Sequence, residues 1–183
     1  GTIDRITRTR LIESGNAEWN SSEIDLREVV EDSVSTVSQL LKDGNVGLEM
    51  ILPQQVPAIV ADRDRLMQVM LNLLSNAAKF CDRPGGTISV TLAQQGYYLR
   101  IDVTDNGIGI DETDQQVIFD KFRQVGDTLT QKPKGSGLGL AISRQIISHF
   151  GGRLWVQSRP GEGSTFSFTV PVNNSYSRPT SRM

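Results

Sequence analysis

Asn72, Asn76 and Lys79 fall at i, i+4 and i+7, so a helix through them would align two amides and one ammonium on a single stripe. Leu66, Val69, Met70, Leu73, Leu74 and Ala77 would occupy the core-facing side of the same helix. A solvated face is the plain reading of such a stripe. Two asparagines inside a helix weigh against it, because each costs about half a kcal/mol or more relative to alanine. An amide oxygen is a hard ligand suited to Mg2+, and a lysine one turn on meets phosphate as a point charge. Asp105-Asn106-Gly107-Ile108-Gly109 directly follows an alternating run. A carboxylate at a strand end can accept a hydrogen bond from an amino group such as adenine's, and glycines there would leave room for a flat ring. A glycine-rich turn with an acidic cap reads those residues equally well. Gly135-Ser136-Gly137-Leu138-Gly139 leads into a further helical pattern, placing backbone N–H groups and a positive helix end where phosphates could bind. It is not a dinucleotide fingerprint, since Leu140 stands where a third glycine belongs, and no Gly-Lys-Ser/Thr follows to make a Walker A loop.

These residues need elements to hold them. Residues 1–14 read as the end of a helix stopped at Ser14-Gly15, followed by an extended connector through Trp19 to Ser22. Apolar periodicity predicts helices over 25–42, 63–80 and 137–150, and a short one over 111–122. Strand patterns cover 47–52, 58–61, 87–93, 98–104, 153–158 and 164–170, with turns around Gln95-Gly96 and residues 160–163. Residues 126–134 lack periodicity and read as a loop, and the Ser/Asn/Arg-rich tail from Asn173 reads as disordered. The pattern predicts a two-layer α/β sandwich, a mixed, mainly antiparallel sheet with about three helices on one face. Residues 1–22 would be a helix end plus connector, 23–172 the domain and 173–183 a tail.

The chain has 183 residues, 37% hydrophobic and 22% charged, which suits one domain with an appended segment. A formal net charge of −2 offers no global attraction to nucleic acid or anionic membrane, so a phosphate site must be local. The single cysteine, Cys81, excludes an intrachain disulfide and reads as a bystander thiol in a reducing, cytoplasmic setting. No apolar run reaches the roughly 18 to 20 residues of a membrane span.

In order, the chain carries Asn72…Asn76–Lys79, Asp105-x-Gly-x-Gly, Phe119-x-x-Phe122, Gly135-x-Gly-x-Gly and Gly161-x-Gly163-Ser-Thr-Phe166. This series resembles the N, G1, F, G2 and final Gly-Thr boxes of sensor histidine kinases, within the gyrase/histidine-kinase ATPase superfamily, over about residues 25–171. The resemblance implies ATP and Mg2+ as cofactors. Asn76 would coordinate the metal, Asn72 would order the site or its water, and Lys79 would contact the phosphates. Phe80 would lie against adenine, Asp105 would receive its amino group with Thr165 in support, and Gly107 and Gly109 would floor the pocket. Gly135, Gly137 and Gly139, around Leu138, would bring amides to the phosphates. Phe119 and Phe122 would anchor a lid whose cations Arg123, Lys132 and Lys134 could reach the γ-phosphate; solvated loop charge is the plain alternative for each. The implied activity is transfer of the γ-phosphoryl group to a histidine in a dimerisation domain, with a response-regulator receiver domain as downstream partner.

Such an acceptor is not evident in this chain, whose single histidine, His149, precedes Gly151-Gly152 and reads as structural. An ATP hydrolase of the gyrase or chaperone type would carry a glutamate, one turn before the metal-binding asparagine, as general base. Asn72 stands there, and an amide cannot take a proton at neutral pH. A degenerate nucleotide-binding or protein-docking domain is the other reading, and a serine kinase of the anti-sigma-factor type a third.

Overall fold

The computed structural model describes residues 18–81, 84–120 and 137–172. The chain enters through β1 (Ser22–Ile24) and continues into α1 (Leu26–Asp43), capped by the Asp25 carboxylate, which accepts from the Arg27 N–H. Val29, Val30, Val34, Val37 and Leu41 give α1 its buried stripe. β2 (Gly47–Ile51) and β3 (Ile59–Ala61) precede α2 (Arg63–Phe80), which Asp62 caps. The hairpin β4 (Thr87–Gln95) and β5 (Tyr98–Asp105) turns on Gly96-Tyr97, one residue beyond the predicted turn. α3 (Glu112–Gln115), α4 (Gly139–His149), β6 (Leu154–Arg159) and β7 (Gly163–Pro171) complete the described chain.

The main sheet has the order β2-β4-β5-β7-β6, and only the β2–β4 pair is parallel. Alternation along β4, β5 and β7 buries Ile88, Val90, Leu92, Leu99, Ile101, Val103, Phe166, Phe168 and Val170 on one face. The apolar stripes of α1, α2 and α4 share that core, so the two-layer sandwich expected from the pattern is present. The opposite face is half-exposed and polar, with an Arg100–Asp102 ion pair and Trp155 beneath the Arg100 and Arg153 guanidiniums.

Two expectations change. The connector through Ser22 is not merely extended, because β1 pairs antiparallel with β3 in a separate two-stranded sheet. The helix predicted over 111–122 shrinks to α3 and a run of turns, as Ile118 and Phe119 are drawn into the core. The helix end before Gly15, the loop at 126–134 and the tail from Asn173 lie outside the described residues.

Candidate nucleotide site

Asp105 ends β5 and is buried, at 5% exposure. Its Oδ1 accepts the Gly107 N–H at 2.8 Å, and the Ser164 N–H also donates to its carboxyl. Burial nonetheless raises its pKa, the two amide bonds only partly offsetting the desolvation. A carboxylate offers about four acceptor sites, so lone pairs remain for an incoming amino group. The residues fit the hydrogen-bond donor edge of adenine.

Gly107 and Gly109 also answer to close packing of the backbone. A Cβ on Gly107 would run into the Phe80 carbonyl, and one on Gly109 into the Arg159 carbonyl. The missing side chains admit neighbouring backbone, welding the Asp105 loop to the end of α2 and to the β6–β7 turn. Ile108 donates to the Phe80 carbonyl and is itself 67% exposed.

Thr165 is not the direct cross-strand neighbour of Asp105. It stands opposite Thr104, and their hydroxyls meet at 2.9 Å. Side chains alternate along a strand, so Thr165 lies one residue out of phase with Asp105 and projects to the other face of the sheet. Ser164 is the direct cross-strand partner of Asp105. Its hydroxyl lies 2.9 Å from that of Ser158, which donates to the Gly163 carbonyl and accepts from the Ile110 N–H. Ser158 and Ser164 thus tie the Asp105 loop to β6 and β7. The inward phase of Phe166 and Phe168 was the signal that would have selected Ser164. An open depression of about 390 Å3 reaches Asp105, Ser158, Ser164 and Thr165, but no side chain of α2.

On α2, Asn72, Asn76 and Lys79 do share one side. Asn72 is already engaged, since its Nδ2 donates to the Ser143 hydroxyl at 3.1 Å and its Oδ1 occupies the space of a Cβ on Gly139. Asn76 is half-buried, and the Lys79 ammonium sits 4.6 Å above the exposed Phe80 ring. Among the described residues no group of three or more His, Cys, Asp or Glu could hold a metal.

Gly137 adopts φ +65°, a conformation that favours glycine, and opens the turn into α4. Leu138 is buried, and as the N-cap residue of α4 it makes no side-chain capping bond. Phe119 is buried edge-on to Phe166 at 6.4 Å, beneath the Arg144 guanidinium, which makes it part of the core. Phe122, Arg123, Lys132, Lys134 and Gly135 lie outside the described residues. No helix among the described residues is long and apolar enough to cross a membrane.

Residues 61–174 match the family described as histidine kinase-, DNA gyrase B-, and HSP90-like ATPase. The chain is 35% identical over 167 residues to the adaptive-response sensory kinase SasA of Prochlorococcus marinus, covering 88% of this chain and 43% of that protein. It is 34% identical over 171 residues to the circadian input-output histidine kinase CikA of Synechococcus elongatus, covering 92% of this chain and 22% of the relative. The chain thus spans less than half the length of either. Among solved structures it is similar to the catalytic domain of histidine kinase ThkA, with a TM-score of 0.71 at 28% identity, covering 85% of this chain and 97% of that one. It is also similar to ShkA in complex with AMPPNP, with a TM-score of 0.74 at 27% identity over 85% of this chain and 32% of that one.

Proposed function

Because this chain belongs to the family of histidine kinase-, DNA gyrase B- and HSP90-like ATPases, we propose that it binds Mg·ATP and donates the γ-phosphoryl group to a histidine of a dimerisation domain. The observation that carries the reading is the buried Asp105 carboxyl at the end of β5, with acceptor capacity left over beside the polar stripe of α2. ATP, when bound, supplies the phosphoryl group. Asp105 selects the base by accepting its amino group, and Ser164 orients that carboxyl through its N–H. Asn76 offers an amide oxygen to Mg2+, Lys79 screens phosphate charge, and the uncapped turn from Gly137 through Leu138 to Gly139 offers backbone N–H groups. Catalysis on this reading is positioning and electrostatics, with no covalent step on the residues of the nucleotide site itself.

His149 is a poor acceptor, since it ends α4, the helix whose first residue, Gly139, lies at the site, and its ring is stacked on Trp19. The acceptor imidazole would come from a dimerisation domain, and a response-regulator receiver domain would take the phosphoryl group onward. Water attack is not supported at Asn72, whose amide is no base and is bonded to Ser143.

Calorimetric titration of the chain with a non-hydrolysable ATP analogue and Mg2+ tests the reading. Asp105→Ala should abolish binding, and Asn76→Ala should leave binding that no longer responds to Mg2+. A folded native chain that binds no nucleotide would instead favour a degenerate docking domain.

A further inference from the structure

Trp19 lies flat against His149, with ring centroids 3.7 Å apart and an interplanar angle of 8°. Phe150 meets the indole edge-on at 5.4 Å, and the Arg65 guanidinium lies 5.6 Å from its centre. The next residue, Asn20, donates its backbone N–H to Asp62 Oδ2 at 3.0 Å. The other oxygen of that carboxylate caps α2 by accepting from the Arg65 N–H. Residues 19 and 20 are therefore fastened to the first turn of α2 and the last turn of α4 at once.

Those two helices run in opposite senses. α2 goes from Asp62 toward Asn76, Lys79 and Phe80, while α4 goes from Gly139 back to His149. They are cross-tied midway, where Asn72 donates to the buried Ser143 hydroxyl and packs against Gly139. The elements that carry the candidate site at one end thus hold the entering connector at the other. Among the described residues no side chain caps α4 where phosphate would approach, and the helix ends in an aromatic stack where the connector passes. An 11-residue helix is a short rigid rod of about 16 Å, so its two ends do not shift independently.

We infer that Trp19 and His149 form a clasp through which α4 couples the direction of the entering connector to the backbone amides at Gly137–Gly139. Trp19 and His149 are positioning residues, acting on the site only through α4. The clasp is argued from contacts of the fold alone; only the identity of the ligand that would feel it rests on the proposed function.

Hydrogen exchange on the whole 183-residue chain tests this without nucleotide. Among the described residues Ile142 is the first amide of α4 to bond back, to the Leu138 carbonyl at 2.9 Å, so residues 142–144 report on that end. Trp19→Ala and His149→Ala should each speed exchange at 142–144 about two- to tenfold, the range expected for losing one aromatic pair. The β4–β5 hairpin should stay unchanged, and Trp19→Phe should recover protection. Unchanged exchange at 142–144, or acceleration spread evenly over the chain, would overturn the clasp. Calorimetry with the ATP analogue on the same samples decides the nucleotide reading separately, because absent binding would leave the exchange result standing.

Discussion

The Asp105 carboxyl accepts bonds from two backbone amides, yet its pKa is raised because burial outweighs them. A group whose folded pKa exceeds its unfolded value adds stability below the unfolded value, near pH 4, and loses it as pH climbs through the folded pKa. Asparagine does not titrate. The melting-temperature difference between Asp105→Asn and the native chain should therefore move in the variant's favour between about pH 3 and pH 7. A difference independent of pH would show that Asp105 is not desolvated. At this scale the sequence was partly legible. Asp105 stood out because an acid followed by two spaced glycines is unusual at a strand end. Ser164 did not, because which of two adjacent hydroxyl residues faces Asp105 depends on cross-strand register.

The α2–α4 contact turns on one side-chain hydrogen bond. Ser143 is 1% exposed, whereas Asn72 is only half-buried. Asn72→Ala would strand a buried hydroxyl and should cost about 1–3 kcal/mol in urea unfolding, while Ser143→Ala leaves an amide that water can reach and should cost about 0.5–1.5 kcal/mol. Equal costs would mean that the hydroxyl has another partner. Gly107→Ala would force a methyl group into the Phe80 carbonyl and should cost at least about 2 kcal/mol, separating the Asp105 loop from α2. The helices themselves were readable from their long apolar periods, and the structure caps them with Asp25 and Asp62. What the period did not reveal was that Asn72 spends its amide on a neighbouring helix.

Across the molecule, the two faces of the main sheet should respond very differently to truncation. Phe168 is fully buried between strands and helices, so Phe168→Ala should cost about 3–5 kcal/mol. Thr91 lies on the half-exposed face, and Thr91→Ala should stay within about 0.5–1 kcal/mol. Comparable losses would require the polar face to be covered. Ligand linkage acts on the same scale. Mg·ATP at a hundredfold excess over Kd should add about 2.7 kcal/mol to native stability and nothing to Asp105→Ala.

The amino-acid order by itself determined the helices, most strands, the inward residues of each and the ordered series of motifs, because helical and strand periods are local properties of the chain. It also placed Asn72, Asn76 and Lys79 on one side of α2, which follows from 3.6 residues per turn. Only the tertiary structure decided the β2-β4-β5-β7-β6 order, the pairing of β1 with β3 and the partners of Asp105, Asn72 and Trp19. Trp19 and His149 are 130 positions apart by number, and no local period relates them. Such contacts arise when helices and strands pack their apolar faces together, and polar groups brought near one another then find partners across the fold.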